Sequence, residues 1–492
     1  MSLDLEFNRL KVSNNLKVTS NNKIECRVPL TETESANLLE INVVTNLYSQ
    51  ECIEKEIRYS GRGVFTILYK SEGEIKKYET GVDYSFKFPC ENAKENTPIL
   101  GKVVVDNPTL TTLNGITMAS AILTFNADLT LSNEIAYLEK DKNLLVKSKE
   151  TECCLDLCNF LKESKIEEEF ETSELISNVL LHSEKAYVTD CQAGVGNVTI
   201  DGEIELNILA QEINKTLPTT ITKKIPFRSE VELSDAIPNS YATCFVEIKG
   251  ANLKIFVDEN KNKSSISCEI ILFVCGKVYQ KVSIYPCEDA YSTQKEISLE
   301  YSNACLGNVN SFKCLDFLVE REISVNDDKN TRLICLLSDK IEEITIDNFE
   351  LTGAVSFVFL CQNDEFATYK TLVPISFTLP LIGNNCSFLS ATITDATLND
   401  SKNLLSFKVK VSYLDKEDLT LKVVSGVIEG EDKVVNNSAI SVYIPNAGDT
   451  LWEISKELGV SSDVILKTNS DLTFPLNGEE RIVIYREIES NK

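Results

Sequence analysis

A long internal repeat constrains the fold of this chain more than any other feature. In each copy, a glycine is followed by a large apolar residue four positions on and by a leucine seven positions on. The copies are Gly61, Phe65 and Leu68; Gly202, Leu206 and Leu209; and Gly353, Phe357 and Leu360. The glycines are 141 and 151 residues apart, whereas solenoid units are roughly 20–50 residues long. The repeat therefore predicts three whole domains in tandem.

The residues around each repeat have the spacing of β-strands. Apolar residues alternate with polar ones in short runs that turn residues interrupt. Predicted turns are Asn114-Gly115, Asp201-Gly202 and Asn399-Asp400, and predicted helices are Thr33–Glu40 and Leu155–Lys162. A Leu-Leu pair precedes each glycine, at Leu38-Leu39, Leu180-Leu181 and Leu336-Leu337. A glycine inside a strand predicts a β-bulge or a close approach of two backbones.

The fold class that follows is mainly β, with three tandem β-rich domains before a small βααβ domain. The three β-rich domains are predicted at residues 1–140, 141–292 and 293–432, and the βααβ domain at 438–487. The short polar stretch Gly426–Ser438 predicts a linker to the last domain.

The last domain is predicted in most detail, because its helix boundaries are marked. Thr450 and Glu453 have the spacing of a capping box, and Gly459 suits the left-handed residue that ends a helix. Ser461 or Ser462 is expected to cap a second helix. Val442 and Ile444 before the helices, and Ile482 and Ile484 after them, alternate as the residues of half-buried strands do.

This region resembles a LysM module. The resemblance includes Gly448-Asp449-Thr450-Leu451-Trp452, Gly459-Val460, Asn469, Pro475 and Ile482-Val483-Ile484. It implies two helices packed on a two-stranded antiparallel sheet, and an activity of binding N-acetylglucosamine-containing glycans such as peptidoglycan. The contact residues that it implies are Gly448, Asp449, Thr450, Leu451, Trp452, Asn469, Leu472 and Pro475.

The same residues also have structural interpretations. Gly448, Asp449 and Thr450 are what a turn and a helix cap require, and Leu451 suits a core. Trp452 is the only tryptophan in the chain. It is expected either to be partly exposed and to contact a protein or glycan, or to pack against the flanking strand.

Composition limits the classes of partner. The formal net charge of −26 argues against nucleic acid and anionic lipid. No secretory signal, lipidation motif or membrane-spanning run of roughly 18 apolar residues is apparent, so no membrane insertion is expected. The 16 cysteines have no paired spacing, which favours reduced, buried thiols in a cytoplasmic protein.

Residues that could perform catalysis are few. His182 is the only histidine, and one histidine is more often structural than a general base. Cys153, Cys154 and Cys158 form the tightest cysteine cluster, but no second cluster supplies the remaining ligands of a zinc site. We therefore expect no catalytic residue, no metal, no cofactor and no enzymatic activity.

In the order of its parts, the chain resembles SipL-like spore coat morphogenetic proteins, which have SPOCS-type β domains and a terminal LysM domain. The resemblance implies a non-enzymatic adaptor in the mother-cell cytoplasm, at the forespore surface. Its expected partners are a coat-basement morphogenetic ATPase, bound through the LysM domain, and other coat proteins. The alternative is a protein that binds peptidoglycan in the cell wall or spore cortex.

Overall fold

The chain is described by a computed structural model. The described residues are 5–140, 143–213, 215–234, 236, 240–258, 263–323, 332–347, 349–362, 365–399, 403–433 and 440–485. Strands dominate them, so the predicted fold class is confirmed.

The first unit has six long strands and one short helix. They are β1 (Glu6–Val28), α1 (Glu32–Ala36), β2 (Leu38–Ile53), β3 (Glu56–Ser71), β4 (Glu74–Pro89), β5 (Ile99–Leu113) and β6 (Ile116–Lys140). Strands β2, β3 and β4 form an antiparallel meander, and the other three form a sheet of order β1-β6-β5. Apolar side chains from both sheets meet in one core.

The second unit has the same arrangement, with a short strand at each end. Its strands are β7 (Leu145–Ser148), β8 (Thr151–Thr172), β9 (Ile176–Ala193), β10 (Asn197–Glu212), β11 (Thr219–Glu232), β12 (Ser240–Asp258), β13 (Lys263–Ile284) and β14 (Cys287–Tyr291). Strands β9, β10 and β11 form the meander. Strands β8, β13 and β12 have the same relative order as β1, β6 and β5, and they form one half of a six-stranded sheet whose other half belongs to the third unit. Among the described strands, the terminal strands β7 and β14 pair only with each other.

The third unit repeats the six-strand pattern, and the C-terminal region follows it. The strands are β15 (Lys295–Glu322), β16 (Arg332–Asp347), β17 (Glu350–Gln362), β18 (Phe366–Thr378), β19 (Asn385–Asn399) and β20 (Leu404–Asp432). The C-terminal elements are β21 (Ile440–Tyr443), α2 (Leu451–Leu458), α3 (Ser462–Thr468) and β22 (Ile482–Tyr485). One β topology thus occurs three times, while the predicted domain boundaries stay a prediction.

The repeated glycines lie in the central strand of each meander, where two backbones come close. A Cβ atom on Gly61 would lie 2.1 Å from the carbonyl oxygen of Asn46, and one on Gly353 would lie 2.2 Å from that of Glu343. The register of the neighbouring strand shifts beside each glycine. The predicted close approach and bulge are both confirmed. They are possible because glycine has no Cβ atom to meet the neighbouring backbone.

The repeated leucines bring the three units together. Leu68, Leu209 and Leu360 are buried in a single cluster, which also contains Leu39, Leu180, Leu181 and Cys335. We call this cluster the leucine junction. Polar contacts surround it: Lys185 lies 2.5 Å from Asp339, and Lys340 lies 2.7 Å from Asp106. Equivalent positions of the repeat therefore form one interface between its copies, and a second buried cluster joins Leu10, Cys153 and Val423 of the three units.

Two predicted local structures are wrong because strand pairing overrides local preference. Leu155–Lys162 is not a helix but part of β8, which pairs with β13 along its length. Asp201-Gly202 is not a turn, because both residues lie inside β10 between two partner strands. Asn114-Gly115 does form the tight turn between β5 and β6, with positive φ angles of 52° and 74°.

Two other predictions are partly wrong in their extent. The helix predicted at Thr33–Glu40 is the shorter α1, because β2 begins at Leu38. The predicted linker Gly426–Ser438 begins inside β20, which continues to Asp432 while paired with β15. Residues 434–438 of that linker, and Asp400 of the predicted Asn399-Asp400 turn, lie outside the described residues.

Candidate interaction site in the C-terminal module

The C-terminal elements form a small βααβ unit, which we call the terminal module (residues 440–485). Strands β21 and β22 pair in antiparallel fashion, and the two helices supply one side of a separate core. The fully or almost fully buried members of that core are Ile454, Ile465, Leu476, Ile482 and Ile484. The order and pairing of the elements are those predicted for this region.

Helix α2 begins and ends at the predicted residues. The Thr450 side chain accepts a hydrogen bond from the Glu453 amide, and the Glu453 carboxylate accepts one from the Thr450 amide. Gly459 ends the helix in the left-handed conformation, with φ of 63°. Helix α3 follows Ser461, whose side chain makes no capping hydrogen bond. The Thr450 hydroxyl and Glu453 carboxylate are therefore already engaged within the helix start.

The two loops that the LysM resemblance implicates are joined by main-chain hydrogen bonds. The Gly448 amide donates to the Leu476 carbonyl at 2.7 Å, and the Leu476 amide donates to the Asp449 carbonyl at 3.0 Å. The Asp449 carboxylate accepts a hydrogen bond from the Asn446 amide. Gly448 and Pro475 are exposed. The two loops therefore form one surface, and their main-chain hydrogen bonds hold them together beneath it.

The remaining predicted contact residues of these loops lie at or near the core. Asn469 donates from its side-chain amide to the carbonyls of Ile465 and Val483, and its side-chain oxygen accepts from the Val483 amide. These bonds tie the end of α3 to β22. Leu451 and Leu472 are half-buried and pack against the module core. Asn469 thus has a clear structural role, and a binding role for it stays a prediction.

Trp452 packs against the second β unit and not against its flanking strand. Its indole meets the ring of Tyr291 edge to face, with 5.0 Å between centroids and 71° between planes. The indole N–H donates to a carboxylate oxygen of Asp289 at 2.8 Å. The same carboxylate lies 2.6 and 2.8 Å from the ammonium of Lys456, one helical turn after Trp452. One residue of β14 therefore engages two side chains of α2.

A further hydrogen bond holds the end of α2. The hydroxyl of Tyr291 donates to the Val460 carbonyl at 2.7 Å, just beyond the helix C-terminus. The Tyr291 ring is buried. Together with Asp289, it makes β14 the docking element for the terminal module.

The charge of Asp289 is stabilised by this contact. Burial alone would raise the pKa of the carboxyl group, but hydrogen bonds from Lys456 and Trp452 outweigh it. The pKa of Asp289 is therefore lower than usual, and the residue is ionised at neutral pH. Sequence reasoning missed Asp289, Tyr291 and Lys456, because no local pattern connects residues so far apart in the chain.

The outer face of the terminal sheet presents an apolar strip. The side chains of Ile440, Val442, Ile444 and Tyr485 are each more than half exposed. Adjacent exposed apolar side chains can mark an interaction site, so this strip is a candidate contact surface. It lies on the sheet face opposite the helices, and the loop surface lies at the end of the module.

The residues considered for catalysis or metal binding, His182, Cys153 and Cys154, lie in ordinary structural environments. His182 Nδ1 lies 2.5 Å from a carboxylate oxygen of Glu184; burial alone would lower the histidine pKa, but Glu184 raises it. Cys153 and Cys154 are buried in β8, and burial raises the pKa of Cys153 to about 11. Within the described ranges, no group of three or more histidine, cysteine, aspartate or glutamate side chains has the geometry to hold a metal ion.

The comparisons with known proteins identify one part of the chain. Residues 175–256 match the family model described as SipL, SPOCS domain, a range that begins just before β9 and ends within β12. Neither a curated protein nor a solved structure matches the chain. Of the helices in the described part of the chain, none is both long and apolar enough to cross a membrane. The family match supports a SipL-like protein with a role related to sporulation or the spore coat.

Proposed function

We propose that this protein is a non-enzymatic structural adaptor in spore coat assembly. In this proposal the terminal module is a LysM domain that binds a coat-basement morphogenetic ATPase at the forespore surface, in the mother-cell cytoplasm. The β units contact other coat proteins. The observation that carries the proposal is the SPOCS-domain match, because it falls in a β unit whose topology occurs three times.

The surface of the terminal module supports a protein as its partner. The apolar strip offers four large side chains that water does not solvate well. In contrast, several polar groups of the loop surface, including the Thr450 hydroxyl and the Asn469 amide, already have partners within the module. A protein surface complements an exposed apolar strip better than a polar glycan does.

The test of the adaptor role combines location and capture. A fluorescent fusion of the full chain should form a shell around the forespore during sporulation, and the tagged chain should co-purify with the ATPase. Val442→Asp places a charge in the centre of the apolar strip and should abolish capture. Lys467→Asp makes a larger charge change on exposed α3 and should leave capture intact. Uniform fluorescence with no shell would refute the adaptor role.

A second function, binding of peptidoglycan, has one observation in its favour. The loops around Gly448 and Pro475 are adjacent and joined, as the LysM resemblance requires of a glycan site. A pull-down of the full chain with purified peptidoglycan tests this function. Saturable binding that soluble N-acetylglucosamine oligomers displace would favour it over the adaptor role.

A further inference from the structure

The docked face of α2 is a small recognition surface with a defined chemistry. Trp452 and Lys456 are four residues apart, so their side chains lie on one side of the helix. The Val460 carbonyl adds a hydrogen-bond acceptor just after the helix. An aromatic N–H, a cation and a carbonyl are therefore presented together.

The occupant of this surface is an extended acidic segment. In β14, Asp289 satisfies both Trp452 and Lys456, and Tyr291, two residues on, supplies the ring and the hydroxyl. The recognised pattern is an aspartate, any residue and a tyrosine in a strand conformation. Ala290, between them, is buried on the other side of β14.

Strand β14 is anchored to the β units, whereas its contact with α2 combines a polar pair with the ring of Tyr291. Cys287 and Ala290 of β14 are buried in a cluster with Leu138, Leu144 and Val424, so the strand is anchored to the β units. The ion pair between Asp289 and Lys456 remains partly open to water, with 22% and 43% of the two side chains exposed. Water-exposed ion pairs contribute little net stability, and the buried ring of Tyr291 supplies the apolar part of the contact. A segment that offers both a carboxylate and such a ring can therefore compete with β14.

We propose that the α2 face formed by Trp452, Lys456 and the Val460 carbonyl recognises extended Asp-x-Tyr segments, which β14 supplies within the chain and a protein partner supplies from outside. The partner must then displace β14, so the docked state lowers its apparent affinity. This step from β14 to an outside partner rests on the proposed adaptor function. The contact between α2 and β14 within the chain does not depend on that function.

Trp452 makes the contact directly measurable, because the full chain contains no other tryptophan. Asp289→Lys places a cation opposite Lys456 and should shift the Trp452 emission to longer wavelength and increase its quenching by acrylamide. Glu288→Lys makes the same charge change at the exposed neighbouring residue and should change neither. Adding Lys456→Asp to Asp289→Lys restores opposite charges and should recover part of the original emission.

A synthetic peptide with the sequence Glu-Asp-Ala-Tyr of β14 tests recognition from outside. It should bind the Asp289→Lys chain about tenfold more tightly than the wild-type chain. The reason is that the apparent affinity is the intrinsic affinity multiplied by the fraction of molecules in which the α2 face is free of β14. It should protect Trp452 from acrylamide, and a peptide with asparagine in place of aspartate should not. Circular dichroism of each variant verifies that the strands are intact.

The outcomes separate this proposal from the adaptor function. An unchanged Trp452 emission in Asp289→Lys, or equal peptide affinity for variant and wild type, would overturn the recognition. If the peptide inhibits capture of the ATPase by the full chain, the external part of the proposal is supported; undiminished capture overturns that part and leaves the adaptor function standing. If no form of the chain captures the ATPase, the adaptor function fails, while peptide binding still supports the recognition surface.

Discussion

Two interfaces within this chain differ in their chemistry. The leucine junction joins the three β units through buried side chains that belong to the repeat itself. The contact between β14 and α2 joins the terminal module to those units through an ion pair, two hydrogen bonds and an aromatic edge. Burial of apolar surface is favourable without a partner of matching charge, whereas the ion pair and the indole hydrogen bond of the second interface both depend on one carboxylate. The first interface suits a permanent scaffold, and the second suits a contact that opens.

The largest effect is expected at the leucine junction. Leu360→Ala removes a fully buried side chain between units and should lower the free energy of unfolding by about 3 kcal/mol, through lost burial and the cavity left behind. Chemical denaturation measures it. Leu372→Ala removes the same atoms from a side chain that is 59% exposed; if the two variants lose equal stability, the junction is not a core.

A somewhat smaller loss is expected at the repeated glycines. The added Cβ in Gly353→Ala meets the Glu343 carbonyl oxygen at 2.2 Å, and relieving it should cost about 2 kcal/mol of unfolding free energy because both atoms belong to paired strands. Gly307→Ala is the matched control, since the nearest atom to its new Cβ lies at 4.0 Å. Equal stability of the two variants would contradict the steric role of Gly353.

The polar rim of the junction should make stability depend on pH. Burial raises the pKa of Glu40 to about 7, although a hydrogen bond from Ser338 opposes the shift. The folded chain therefore holds a proton that the unfolded chain releases at lower pH, so unfolding free energy should fall as pH rises from about 4.5 to 7. Glu40→Gln should remove the part of that fall that comes from this carboxyl group. If the unfolding free energy of the variant depends on pH as steeply as that of the wild type, Glu40 is solvated in the folded chain.

The smallest effect on stability, and the most local one, is expected at β14. Because the pKa of Asp289 is lowered, its contribution to docking is complete above the pKa of the unfolded state and is lost as pH falls through the lowered value. Trp452 emission should be constant from pH 8 to about pH 4 and shift to longer wavelength below it. Asp289→Asn should lack this transition. A shift centred near neutral pH would assign the docking to another group.

The sequence predicted the features that each strand or helix determines by itself. The glycines at 61, 202 and 353 indicated close backbones, because no other residue leaves that room, and Thr450, Glu453 and Gly459 marked the ends of α2. These signals are local. The mainly β class followed from alternation, which strands need whether or not their partners are known.

The sequence did not predict features that depend on distant partners. Leu155–Lys162 has apolar residues compatible with a helix, and only pairing with β13 makes it a strand. Trp452 was expected to meet an outside molecule or its flanking strand, whereas its acceptor Asp289 lies 163 residues earlier. The leucines of the repeat were recognisable one by one, but their common cluster requires the arrangement of all three units.

The pairing of β7 with β14 has a consequence for the order in which the chain is made. Strand β7 begins the second unit and is synthesised first, so it can pair with β14 only after the rest of that unit has been synthesised. The terminal module is translated last, and its docking strand β14 is in place only when β7 and β14 have paired. A chain in which β7 and β14 have not paired leaves Trp452 without a correctly placed Asp289. The contact of Trp452 with β14 therefore reports that the second unit has folded completely.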